Sequence, residues 1–259
     1  MPVTMSDADI SQETVTAALV VIGEEILSGR TRDANIAYIA AYLTRIGIQL
    51  REVRIIADLE AAIVAAVNEL RGGFTYVFAT GGIGPTHDDV TTDAIAKAFG
   101  VAAVVDPEAV AAMRKRFSES ELTPARLRMA RIPQGATLIK NVISRAPGFM
   151  IGNVIVMAGV PNIMQVMLDA VSPRLAKGRP MISRSVRLDV PEGDAADGLG
   201  ALQAAHPEVQ IGSYPFFQNK RLGTYVVLRS IDEGKLAAAE EDLWKFIAEA
   251  GFPAGSGEA

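Results

Sequence analysis

A chain of 259 residues, 49% hydrophobic and 21% charged, can bury a full core and excludes a disordered or fibrous protein. Zero cysteines remove disulfides, thiol nucleophiles and thiolate metal sites together. A net charge of −5 excludes a general binder of nucleic-acid backbones but leaves room for a small anionic ligand held by local geometry.

In chain order, residues 1–16 lack both a basic start and an apolar block, so they read as a flexible tail and not as a signal peptide. No apolar run reaches the roughly 18 to 20 residues a membrane span needs, and the expected address is the cytoplasm. From Ala17 strand and helix alternate. "AALVVIG" suits a strand buried on both faces, and Ile36, Ile39, Ala40 and Leu43 fall at helical spacing before Gly47. "IQLREVRII" is a second strand. Asp58 stands where the next helix would take its N-cap, and Leu59, Ile63, Ala66, Val67 and Leu70 trace that helix's buried face. The strand "YVFAT" runs into a glycine loop, and the helix "TTDAIAKAFG" follows, which places the loop at the edge where open parallel sheets bind ligands.

Beyond Gly100 come the strand "AAVVD", a helix opened by Asp106 and Pro107, and a helix over 124–131. An antiparallel addition to the sheet is expected around Pro147 and Gly148, then a helix from Asn162. These elements form a domain over 17–177. "GRP" at 178–180 reads as a linker to a small two-layer α/β domain over 181–251. Within it "YPFFQNKR" is expected to be a hairpin tip that buries both phenylalanines, and the arginines of "RKRF" and "ARLRMAR" a solvated helical face.

The loop "TGGIGPTHDD" over 80–89 carries the chemistry. It lacks the lysine of a phosphate-binding P-loop, and His87 stands where a dinucleotide fingerprint needs its third glycine. Gly81, Gly82 and Gly84 can expose N–H groups to an anion at the start of a helix. Asp88 and Asp89 oppose one, since unit charges 4 Å apart repel by about 1 kcal/mol in water and about 4 kcal/mol near a protein surface. A divalent cation such as Mg²⁺, held by Asp88 and Asp89 and shared with the phosphates, resolves that conflict. The competing reading is that the two carboxylates complement the helix dipole, and Asp33 and Asp58 have N-cap readings of their own. With only two histidines, a histidine-based metal site or a Ser/His/Asp triad has little support.

"IGEEILSGRTRDAN", "TGGIGPTHDDVTTDAIA", "NVISRAPGF" and "AGVPNIMQVML", in this order, resemble the molybdopterin-binding domain shared by the Mog/MoaB proteins and the N-terminal part of competence/damage-inducible protein A, CinA. The match is closer to CinA. The resemblance implies a three-layer, mostly parallel α/β fold, a homo-oligomer (dimer or trimer), and a pocket for a phosphorylated pterin or nucleotide. Carried onto this chain, it gives a ligand-binding set of Ser28, Gly29, Asp33, Gly81, Gly82, Gly84, Thr86 and Pro161, with Asp88 and Asp89 for metal and Asp58 as general base. CinA also has a nicotinamide-mononucleotide deamidase domain, and this chain stops at Ala259, so that activity is not expected here. The first implied activity is metal-dependent hydrolysis of a nucleotide diphosphate link such as that of ADP-ribose. The alternatives are molybdopterin binding in molybdenum cofactor synthesis, without hydrolysis, and a non-catalytic ligand-binding module.

Overall fold

The computed structural model describes residues 14–218 and 221–256, and the chain divides into two compact units between Gly178 and Arg179. The expected tail over 1–16 lies outside the described residues as far as 13, and the strand expected from Ala17 opens at Val15. The first unit begins β1 (Val15–Ile22), α1 (Glu24–Leu27), α2 (Asn35–Arg45), β2 (Ile48–Ile56), α3 (Glu60–Gly73), β3 (Tyr76–Thr80) and α4 (Thr91–Ala98). It continues with β4 (Ala103–Val105), α5 (Pro107–Met113), α6 (Pro124–Leu127), β5 (Arg131–Pro133), β6 (Thr137–Ile139), β7 (Gly148–Ile151), β8 (Val154–Met157) and α7 (Pro161–Val171).

The six-stranded sheet has the order β2-β1-β3-β8-β7-β6, in which β1, β2, β3 and β8 run parallel and β7 and β6 add antiparallel. Its three layers follow from the apolar run of β1. Leu19 and Val21 pack with Ile39 and Leu43 of α2 and Met164 and Leu168 of α7, whereas Ala18, Val20 and Ile22 pack with Ile63 and Val67 of α3 and Ile95 of α4. Each fully buried Leu, Val or Ile contributes about 1.5–3 kcal/mol. The run has no polar face because the strand has no solvent face.

One expectation is corrected between α5 and β6. Residues 124–131 are not one helix: α6 ends at Leu127, a 3₁₀ turn covers Arg128–Ala130, and Arg131 opens β5, which pairs with β4. The Arg131 guanidinium forks onto Asp93 at 2.6 and 3.1 Å, which fixes the strand start and removes this arginine from the solvated face expected of it.

The second unit contains β9 (Ile182–Leu188), α8 (Glu192–Ala205), β10 (Gln210–Gln218), β11 (Arg221–Ser230), α9 (Glu233–Ala250) and β12 (Ala254–Ser256). Its antiparallel sheet has the order β10-β11-β9-β12, and Val186, Leu188, Val226 and Leu228 pack with Leu199, Leu202, Leu236 and Leu243 of the two helices. Asp232 caps α9 by accepting from the Lys235 amide at 3.0 Å. In the hairpin, Phe216 is half-buried against Tyr225 with ring centroids 4.7 Å apart and Phe217 is 68% exposed, so the expected burial of both phenylalanines is corrected. Successive strand residues face opposite sides, and two adjacent rings cannot share one face. Among the described residues no helix is long and apolar enough to cross a membrane.

A fragment ending at Lys177 retains all six strands of the larger sheet and is expected to unfold in a single cooperative calorimetric transition. Limited proteolysis of the whole chain checks the division: first cuts within 20–100, with 178–180 intact, would overturn it.

Candidate functional site

The carboxyl ends of β1, β3 and β8 converge on Gly81. Its amide donates to the Met157 carbonyl at 3.1 Å, its φ is 103°, and a Cβ there would lie 2.1 Å from the Ile22 carbonyl oxygen. Gly82, at φ 66°, faces the start of α4, where a Cβ would lie 2.1 Å from the Thr91 hydroxyl and 3.5 Å from Asp58 Oδ1. The two glycines therefore serve close packing of strand ends and helix, and the Gly81 amide is spent on β8. That corrects the expectation that every glycine of the loop offers an amide to an anion. Among the described residues, the amides of Gly82, Ile83 and Gly84 donate to no protein acceptor, and these three remain for a ligand.

Asp58 is not the cap of α3. Its Oδ2 accepts from the Glu24 amide at 2.8 Å, at the start of α1, and Leu59 precedes α3 without a side-chain cap. Asp33 keeps its N-terminal role, accepting from the Ile36 amide at 2.8 Å. Asp89 Oδ2 accepts from the Thr86 amide at 2.8 Å and from the Thr86 hydroxyl. The Thr86 hydroxyl and its own backbone amide hold the Asp88 carboxyl below its ordinary range, so its charge persists further into acid than a free aspartate's.

A cleft of about 600 Å³ opens over this loop, within the range typical of small-molecule sites. Of the sequence-predicted residues it brings together Asp58, Gly81, Gly82, Gly84, Asp88, Asp89 and Pro161. Ser28, Gly29, Asp33 and Thr86 are not among its lining. Ser28 and Gly29 end α1 on an exposed turn, Asp33 lines a smaller side pocket, and Thr86 buttresses Asp89. The cleft also takes in Glu25, Thr31, Asn141 and Ser144, which residue type alone did not single out, although each lies in a stretch that carried the family resemblance.

The side pocket, of about 70 Å³, shares Glu25, Thr31, Gly159 and Pro161 with the cleft. Asn35, 4% exposed, donates from Nδ2 to the Gly159 carbonyl at 2.7 Å; among the described residues its Oδ1 and the hydroxyl of Thr80, a second residue of this pocket, have no partner.

Among the described residues no group of three or more His, Cys, Asp or Glu side chains gathers to cage a metal. Asp88 and Asp89 fit the other mode, in which Mg²⁺ uses one or two carboxylates together with substrate phosphates and water: both line the cleft, and Asp89 Oδ1 is left free by Thr86. A pterin also fits, because Ile22, Ile83, Met129 and Met167 give the cleft apolar walls beside its polar floor.

Comparison with known proteins agrees with this architecture. Residues 18–177 match the family described as a probable molybdopterin binding domain, and residues 180–253 match the middle domain of FAD synthase. A CinA-like protein of Desulfosudis oleivorans is 36% identical over 209 residues, covering 76% of this chain and 51% of the relative. Its counterpart in Geobacter metallireducens is 35% identical over 240 residues, covering 87% of this chain and 57% of the relative. The chain thus spans little more than half of these two relatives. The crystal structure of the protein CinA from Thermoplasma acidophilum superposes with a TM-score of 0.59 at 35% identity, over 62% of this chain and 98% of that one.

Proposed function

The chain belongs to the molybdopterin-binding domain family through residues 18–177, and from that premise we propose that its cleft binds a phosphorylated nucleotide or pterin and hydrolyses a diphosphate link like that of ADP-ribose. The observation that carries this reading is the meeting of three unspent amides, at Gly82, Ile83 and Gly84, with the carboxylates of Asp58, Asp88 and Asp89 in one cleft. The amides bind one phosphate, since successive N–H groups before a helix form an anion-binding concavity. A divalent ion held by Asp88 and Asp89 supplies charge neutralisation and a more acidic water. Asp58 Oδ1, on the Gly82 side of its carboxylate, takes the proton of the attacking water as its oxygen bonds to phosphorus and the bridging P–O bond breaks, leaving two monophosphates.

A second reading, capture of molybdopterin without turnover, is favoured by one feature: Asp58 and Asp89 each commit a carboxylate oxygen to a backbone amide, as structural residues do. Purified protein incubated with ADP-ribose, FAD and ATP, with and without divalent metal, is expected to release AMP from a diphosphate substrate only when metal is present. Asp88→Asn with Asp89→Asn is expected to abolish metal-dependent ligand binding while changing stability by about 1 kcal/mol or less. Undiminished affinity in that variant at saturating Mg²⁺ would remove the metal role. No turnover across a panel of metals, together with tight molybdopterin binding, would establish the second reading.

A further inference from the structure

A pocket of about 200 Å³ lies between α5 and the loop joining β6 to β7, and it shares Asn141 and Pro147 with the main cleft. Its wall carries three cations, Lys115, Lys140 and Arg145, against a single carboxylate, Glu108. None of the three cationic side chains has an ion pair or hydrogen bond among the described residues. Their neighbours differ: Arg114 pairs with Glu119, and Arg116 donates to the Ile143 carbonyl. In a chain of net charge −5, three like charges gathered in one concavity repel one another unless an anion joins them.

The backbone gives a second, independent sign. Arg145 sits at φ 66°, the only non-glycine residue with positive φ among the described residues. The buried Asn141 imposes that turn, donating to the Ala146 carbonyl at 2.9 Å and accepting from the Ile143 and Ser144 amides at 3.0 and 3.2 Å. Glycine would take this angle without penalty, so the turn does not explain a guanidinium there. Strain kept at a charged residue that faces a pocket is what a binding role accounts for.

We propose that Lys115, Lys140 and Arg145 form a second anion site, which takes a phosphoryl group as a tetrahedral dianion. An arginine fork and two mobile ammonium groups match its charge and its oxygens. The site is separate from the Gly82–Gly84 amides and stands whether or not the cleft hydrolyses anything.

Titration of the ¹⁵N-labelled full chain with inorganic phosphate at fixed ionic strength tests it, with acetate as a monoanion control. Phosphate is expected to move the amide signals of residues 140–146 saturably, and acetate is not. Lys115→Gln with Lys140→Gln is expected to weaken phosphate binding at these signals by about tenfold or more, roughly the loss of two charge-assisted contacts. Arg145→Gly is expected to weaken it comparably while keeping or raising Tm, because glycine relieves the strained angle. Any of three results would overturn the site: shifts confined to residues 82–90, affinity within about twofold of the parent in both variants, or an equal loss in a control carrying Arg51→Gln and Lys177→Gln. A fall in Tm in Arg145→Gly with unchanged affinity would make the residue structural, and that too would overturn it.

Discussion

Gly81→Val is expected to yield no folded protein, and the milder Gly81→Ala to lose about 4 kcal/mol or more, among the largest costs of a single substitution. The Cβ would lie 2.1 Å from the Ile22 carbonyl oxygen, which is backbone and not the far end of a side chain. Its φ of 103° excludes side chains on conformational grounds as well. The loop cannot retreat, because the Gly81 amide is held by Met157 at 3.1 Å. Nor can β1 move aside, since Val21 pairs with Thr80 on one flank and Ile22 with Ile56 on the other. A domain stable by 5–15 kcal/mol has little left after such a loss. Urea denaturation of Gly81→Ala reads the effect as a lower midpoint at unchanged slope. An unfolding free energy within about 1 kcal/mol of the parent's would show that the end of β1 yields easily. Gly84 is the useful contrast. A Cβ there would meet the Asp89 carboxylate at 2.6 Å, a side chain that can rotate away, so Gly84→Ala should disturb the cleft and spare the fold.

The glycine loop illustrates what sequence reveals of such a site and where it stops. Three glycines between a buried strand and a helix locate the ligand edge, because that order has few structural explanations. Which contact each glycine serves is a matter of partners far along the chain: Gly81 answers to Ile22 and Met157, and Gly82 to Thr91. Asp58 shows the same limit. Local spacing offers it the helix that follows, yet its carboxylate reaches Glu24, 34 residues earlier, because the ends of β1 and β2 lie side by side in the parallel sheet. Strands β2 and β3 and helix α9 were legible over the residues they occupy, β3 from its wholly buried apolar run and β2 and α9 from β-branched and helical spacing respectively. β12 was not. Three small residues, Ala254–Ser256, carry no period and become a strand only by pairing with β9. Asn35 escaped notice for the same reason, since its partner Gly159 is 124 residues away.

Asp58→Asn is expected to lower kcat for a nucleotide diphosphate by about two to four orders of magnitude while leaving KM near its parent value, the range that a general base contributes. The substitution is sharp because it is nearly isosteric. The asparagine oxygen can still accept from the Glu24 amide, so the link between the β2 end and α1 survives and only the charge and basicity at Oδ1 are lost. Asp58→Ala would confound the two effects by removing the bond to Glu24, at about 1 kcal/mol for a cap of this kind. An interaction made only in the transition state lowers kcat without raising KM, whereas a ligand contact made equally in both states does the reverse. The two readings of the cleft therefore separate on one variant. If Asp58 only contacts the ligand of a carrier, the parent protein turns over no nucleotide diphosphate and Asp58→Asn changes affinity alone. If it moves the proton, the rate should collapse with affinity intact, and raising the pH should not restore it, because an amide has no proton-accepting form in the working range.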